Sequence, residues 1–182
     1  MSPVAPTPAF LRNFYFLRAG VAAVWVTLAF TVGVKSPALG ALLLVLYPAW
    51  DALANLIDAR ANGGLRANLT QTTNLAISLI ATAAMVAGAV QLGIHFMIGV
   101  FGVWAVLAGL FQLLTGLRRW KTAGAQWAMI LSGAQSILAG VFFTILSQGT
   151  ADLSIATVAG YAGFGAFYFL VSAVWLTVRR AK

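Results

Sequence analysis

Six long apolar runs, parted by short polar links, decide most of what this chain can become. They cover residues 14–34, 39–57, 75–92, 96–117, 125–146 and 155–178. A helix that crosses a bilayer needs about 20 mostly apolar residues, and backbone in lipid must satisfy its own hydrogen bonds. The expected fold is therefore all-α, an integral membrane bundle of six transmembrane helices arranged as three helical hairpins. One domain, residues 14–180, follows a lead of residues 1–13, where Pro3, Pro6 and Pro8 among small polar neighbours predict disorder.

Charge supports the same class. Only 8% of the residues are charged against 62% hydrophobic, whereas an ordinary soluble domain carries roughly 25% charged residues. The 11 basic residues outnumber 3 acidic ones, a balance that in a soluble protein would point to nucleic acid. Here the basic groups sit between apolar runs, so nucleic acid is excluded as a partner and anionic lipid headgroups are expected instead. With six spans, Arg12, Arg18, Arg60, Arg66, Arg118, Arg119, Lys121, Arg179, Arg180 and Lys182 fall on the side of the N-terminus, and Lys35 alone falls opposite. The positive-inside rule then puts both termini in the cytoplasm. The first run is longer than the apolar region of a cleavable signal, so it reads as a retained helix.

Local signals mark the ends of the runs. Ser36 and Pro37 have the chemistry of an N-cap and first helical residue. Asn62-Gly63-Gly64 should stop the second helix, Asn68 or Thr70 cap the third, and Asp152 or Ser154 cap the sixth. Small residues recur at packing intervals, Gly102, Gly109 and Gly116 and then Ser132, Ser136 and Gly140, while Ala159, Gly163 and Phe167 share a face flanked by Gly160 and Ala162. Such faces let helix backbones approach closely in lipid.

The strongest chemical lead is the stretch YPAWDALANLIDAR, residues 47–60, which holds two of the three acids. Asp51, Asn55 and Asp58 stand at i, i+4 and i+7 and line one helix face. Asp51 precedes Asp58 by seven residues, ~10 Å of helix at about 1.5 Å per residue; Arg18 lies six residues beyond Arg12, ~9 Å in from the same side. Equal depth and the lack of other partners predict an Arg18–Asp51 ion pair facing the bundle interior. Three uses are open to it: fixing register and insertion, forming a polar site for a proton or solute, or snorkelling to the interface. Pro48, one turn earlier, removes a backbone donor and opens the helix beside the acid. Gln112, Gln135, Ser132 and Ser136, with Gln126, are further candidates for lining a polar cavity, or else for interhelical hydrogen bonds. His95, at the outer end of the fourth helix, is either a proton sensor or a polar end group.

Enzymatic chemistry is not expected. There is no Glu and no Cys, a single His, no carboxylate pair beside a nucleophile, and the glycines lie within spans rather than in a phosphate loop. No catalytic residue, metal site or cofactor is assigned on these grounds. The partners to expect are membrane lipids and either another membrane protein or a second copy of the chain.

Internal repetition then brings a resemblance. WDALANLID from Trp50, LAGLFQLLTG from Leu107 and VSAVWLTVRR from Val171 superpose in their small and polar positions, as do ATAAMVAGAV from Ala81 and GAQSILAGVF from Gly133. The run FGVWAVLAGLFQLLTGLRRWKTAGAQWAMILSGAQSILAGVFF, residues 101–143, resembles the repeat of the HdeD-like acid-resistance membrane proteins, small six-helix bacterial proteins. Its pattern is an apolar helix with small residues, a basic loop, a tryptophan, a small-Gly pair and a second Gly about seven residues on. The Asp of WDALANLIDAR also suits the family's second helices, and the likeness covers roughly residues 18–180. It implies a non-enzymatic protein of the bacterial inner (cytoplasmic) membrane, associated with acid or stress resistance and acting through packing with lipid or a membrane partner. Two other functions stay open from the residues: a small transporter or channel for protons or a small solute with a polar path near Asp51, Asn55 and Arg18, and a membrane scaffold for another protein.

Overall fold

A computed structural model describes residues 7–121 and 125–179. Among them the secondary structure is entirely helical: α1 Pro8–Thr31, α2 Pro37–Ala61, α3 Leu69–Ala87, α4 Gly93–Arg118, α5 Gln126–Leu146 and α6 Ala156–Val178, with one-turn 3₁₀ segments at Gly33–Lys35 and Leu65–Ala67. A π-helical segment, Gly88–Leu92, joins α3 to α4. Taking Leu69–Arg118 together as 50 residues, although the chain turns within it at Gly93, 5 stretches among the described residues are long and apolar enough to cross a membrane. The outer surface is correspondingly greasy, with Ile80, Val90, Leu138 and Ile145 exposed.

The ends of the elements follow local chemistry, with corrections to the expected boundaries. α1 begins at Pro8, so residues 8–13 are helix rather than disordered lead. The Thr7 hydroxyl accepts from the Phe10 backbone N–H at 3.2 Å, Pro8 takes the first turn, and Leu11 is buried against neighbouring helices. Residues 1–6, and with them Pro3 and Pro6, lie outside the described residues, as do Arg180 and Lys182. Ser36 caps α2 by accepting from the Leu39 N–H at 3.4 Å, and Gly63 and Gly64, at φ +97° and +89°, turn the chain after it. Asn68, one of the two expected caps, occupies the N-cap position of α3 but makes no side-chain capping bond. The Asn68 side chain instead reaches back to the carbonyls of Asn62 and Gly64, holding the loop against the end of α2. At α6 the N-cap position belongs to Ile155, and Asp152 makes no cap; Ser154 Oγ accepts from the Ala156 N–H at 3.3 Å.

The most extensive interfaces join α4 to α5, α1 to α6 and α2 to α3, whereas α1 and α2 touch only lightly despite their short connector. Of the three hairpins expected, α1 with α2, α3 with α4 and α5 with α6, the first pair is barely in contact, so what the helix faces offer outranks a short connector there. Between α4 and α5 the face is glycine. A Cβ on Gly140 would lie 2.5 Å from the Gly102 carbonyl oxygen, and one on Gly109 would lie 2.7 Å from that of Gly133, so only hydrogen fits at either crossing. The α6 face acts differently from expectation: Ala159 is fully buried, but Gly163 meets open space and Phe167 is exposed, so no seam runs along all three. α3 and α4 also lie side by side. The Trp104 indole donates to Ser78 Oγ at 2.9 Å across the turn at Gly93, whose φ of +78° is a conformation that suits glycine.

Two apolar clusters fill the interior. One, around Phe101, Leu44, Met97, Ile98 and Val158, occupies the half of the bundle that includes Leu153 and Ile155. The other, around Leu11, Phe14, Tyr15, Met129 and Phe169, lies toward the end carrying most of the basic residues. Polar side chains gather between them.

Candidate functional site: a polar chamber between the helices

Asp51 and Asp58 project from one face of α2, as their spacing requires, and each is buried. Asp51 is the better supplied. Its Oδ1 accepts from Arg18 Nη2 at 2.6 Å; its Oδ2 accepts from Asn55 Nδ2 at 3.0 Å, Asn74 Nδ2 at 3.2 Å and Ser78 Oγ at 2.9 Å. Ser78 in turn accepts from the Trp104 indole. One carboxylate therefore ties α2 to α1 and α3 directly and to α4 through a hydroxyl. Desolvating such a group at mid-bundle costs about 3 kcal/mol on insertion scales, and four donors with one full positive charge offset it.

Asp58, one helical stretch nearer the basic end, repeats the design with other partners. Its Oδ1 accepts from Asn62 Nδ2 at 2.7 Å, and its Oδ2 accepts from Gln71 Nε2 at 3.1 Å and Arg119 Nη2 at 3.0 Å. The network continues outward, since Thr70 Oγ1 donates to Gln71 Oε1 and accepts from Arg118 Nη1 at 3.3 Å. Two charge pairs thus stand on one helix face, each closed by an arginine from a different part of the chain.

Arg18 is also held by aromatics. Its guanidinium lies 4.3 Å from the centroid of the Phe169 ring and 5.9 Å from that of Phe14, within the reach of a cation–π attraction. Its Nε is buried without a hydrogen-bond partner in the protein, and so is Asn74 Oδ1.

These groups face a cavity of about 80 Å³ lined by residues of all six helices. Arg18 and Asp51 meet it together with Asn74; Gln112, Gln126, Ser132 and Ser136 contribute from α4 and α5. Gln135 does not line it. It follows Ser132 by three residues and sits about 100° around α5 from Ser136, so its amide points elsewhere. The lining hydroxyls and amides are partly committed: Tyr161 OH donates to Ser136 Oγ at 2.9 Å, Ser136 Oγ donates to the Ser132 carbonyl at 2.9 Å, and Gln112 Nε2 donates to the Met129 carbonyl at 3.4 Å.

Away from the basic end the chamber meets an aromatic layer. Phe101 contacts Tyr47, Trp104, Phe143 and Tyr161 with ring centroids 5.3 to 6.0 Å apart, three of them edge to face. Trp25 packs on Tyr47 and donates its indole N–H to the Leu43 carbonyl at 2.7 Å, one turn before Pro48. Beyond this layer Leu44, Met97, Ile98 and Val158 are all at most 1% exposed. Dry apolar packing closes that side.

His95 is apart from all this, half-buried beside Phe96, Thr144 and Ser147 in an apolar groove between α3, α4 and α5. No group of three or more His, Asp or Glu side chains able to hold a metal occurs among the described residues.

Of the residues singled out in the sequence, Arg18, Asp51, Asn55 and Asp58 share the site, joined by Ser132, Ser136 and Gln112. Gln71, Asn74 and Ser78 were missed, although LTQTTNLAIS repeats on α3 the polar stripe that drew attention to α2: they stand at i, i+3 and i+7. Arg119 had no comparable signal. It follows the last residue of α4 in a basic loop, and only the backbone turn there aims it inward. No protein-family model, no curated protein and no solved structure matches the chain.

Proposed function

We propose that this chain is a membrane protein of six crossings, with α3 and α4 as separate spans, whose chamber admits a small solute from the cytoplasmic side: a small transporter or channel rather than an enzyme. The observation that carries the reading is a polar chamber at the meeting point of all six helices, closed toward one end by dry aromatic packing and bordered at the other by two Arg–Asp pairs. Helices that need only adhere can do so through small-residue seams, and buried ionisable groups in a span are expensive unless they line a pathway or pair. Here they do both. Orientation follows the charge: Arg12, Arg60, Arg66, Arg118, Arg119, Lys121 and Arg179 mark the cytoplasmic end, with Lys35 opposite, in the inner membrane of a bacterium. This chamber shifts the weight from the stress protein acting by packing alone toward the solute path.

The absence of cysteine from the sequence makes the test direct. Single cysteines at Gln112, in the chamber, and at Val158, in the dry layer, are exposed to a membrane-impermeant thiol reagent from each face of oriented vesicles. The expected result is labelling of Gln112→Cys from the cytoplasmic face alone and no labelling of Val158→Cys. A chamber cysteine that stays unlabelled from both faces would overturn the reading.

A further inference from the structure

We infer that the chamber selects a neutral solute carrying one group that both donates and accepts hydrogen bonds, a small amide or a small polyol, and that Asn74 and Arg18 are its recognition residues. The inference rests on the solute-chamber reading above and adds the class of solute.

Charge comes first. The ionised groups of the chamber are two cations and two anions, paired as Arg18 with Asp51 at 2.6 Å and Arg119 with Asp58 at 3.0 Å. The next cation, Arg118, is exposed at the rim, where water and headgroups screen it. Each carboxylate is further saturated by neutral donors, three on Asp51 and two on Asp58. An ion entering would bring a net charge into a site whose own charges are already matched, and burying an unmatched charge is strongly unfavourable. A neutral solute meets no such barrier.

Hydrogen bonding supplies the second constraint. Two polar atoms at the chamber are buried without a partner in the protein: Arg18 Nε, a donor, and Asn74 Oδ1, an acceptor, the latter on a residue only 6% exposed. Both side chains hold the same Asp51 carboxylate, Arg18 on Oδ1 and Asn74 on Oδ2, and both residues line the chamber. A buried polar group left unpaired is costly. A ligand group that accepts from Arg18 and donates to Asn74 satisfies both: the C=O and N–H of a primary amide, or the oxygen and proton of a hydroxyl.

Size is the third. A cavity of about 80 Å³ holds on the order of five waters at ~15 Å³ each. That suits a solute of about four to six non-hydrogen atoms.

The experiment is solute entry into proteoliposomes of the full chain, followed by stopped-flow light scattering. Urea and glycerol represent the two neutral arms; acetate and guanidinium are charged solutes of similar size. The expected result is entry of urea or glycerol several-fold above protein-free liposomes, with neither charged solute accelerated, and the faster of the two neutrals tells amide from hydroxyl. Asn74→Leu is expected to lower the accelerated flux about fivefold to tenfold, the worth of one hydrogen bond to a buried group. Ser172→Ala is the control: it removes the other buried group without a partner, on α6 and outside the chamber, and leaves flux unchanged. Should Asn74→Leu not fold, Asn74→Ala serves in its place, since it removes the same acceptor without adding bulk or charge beside Asp51, and the same fivefold to tenfold loss is expected. Acetate or guanidinium moving as fast as the neutrals would overturn the neutral class while the transport reading stands. No acceleration of any solute, with Gln112→Cys still labelled from one face, would overturn this inference alone; an unlabelled Gln112→Cys would remove the chamber reading beneath it.

Discussion

The α2–α3 and α4–α5 interfaces do the same job by opposite means. Where α4 meets α5, hydrogen is the largest substituent that fits at Gly109, Gly133 and Gly140, and backbone lies on backbone. Where α2 meets α3, Asp51 and Asp58 take hydrogen bonds from Gln71, Asn74 and Ser78, and each carboxylate has an arginine from elsewhere. In lipid, apolar surface gives helices little reason to associate, so close approach and polar contact are the available means. The difference is in what each leaves behind. A glycine seam is closed and chemically silent, whereas a hydrogen-bonded seam keeps donors, acceptors and charge beside a cavity.

That contrast breaks most sharply at Asp51. Asp51→Leu strands the Arg18 guanidinium on the Phe169 ring with no anion, and losing one member of a buried pair typically costs about 3–5 kcal/mol. Unfolding in mixed detergent micelles should show a loss of that size, and the double variant Arg18→Leu with Asp51→Leu should recover most of it. A double variant as unstable as the single one would mean that Asp51 matters through its neutral donors rather than through charge. The glycine seam comes next. Gly109→Val forces a side chain toward the Gly133 carbonyl and Ser136, and overpacking of this kind costs about 1–3 kcal/mol. Gly160→Val, which meets nothing within 4 Å, should cost nothing measurable in the same assay. Equal losses at the two glycines would dissolve the distinction between a seam and a lipid-facing residue.

Ser78→Ala follows in magnitude. It takes one donor from Asp51 and leaves the Trp104 indole N–H buried without its acceptor, an effect of about 1–3 kcal/mol. The same unfolding titration reads it, and a loss below about 0.5 kcal/mol would indicate that the indole finds another partner.

Long apolar runs and their basic links were legible in the sequence because each signal spans many residues. The Arg18–Asp51 approach was legible too, since helix rise converts position into depth and both residues enter from the same side. Helix partners were not. The connector between α1 and α2 is short, yet α1 packs on α6, because packing depends on which faces are complementary and that choice is made between segments far apart in sequence. Arg119 was hidden for a related reason: a basic residue in a loop looks the same in sequence whether its guanidinium lies on headgroups or on Asp58. The start of α1 was obscured by prolines, which suggested disorder although Pro8 sits where a helix accepts proline best.

The smallest expected effect sharpens the comparison at its edge. Thr70 lies between Arg118 and Gln71, the outermost link of the chain that ends at Asp58. Arg118→Gln removes the contact to Thr70 and leaves the Thr70 hydroxyl on Gln71. The Arg118 side chain is exposed, so its contact competes with water and headgroups, and contacts of that kind are worth about 0–1 kcal/mol. Gln71 keeps its bonds to both Asp58 and Thr70. Arg118→Gln should therefore lower stability by less than about 1 kcal/mol, while Gln71→Leu, which takes a donor from the buried carboxylate itself, should cost about 1–3 kcal/mol. Measured side by side, the two locate the boundary between screened and buried polar contacts: a loss at Arg118 as large as that at Gln71 would move that boundary outward, past Asp58 to the rim.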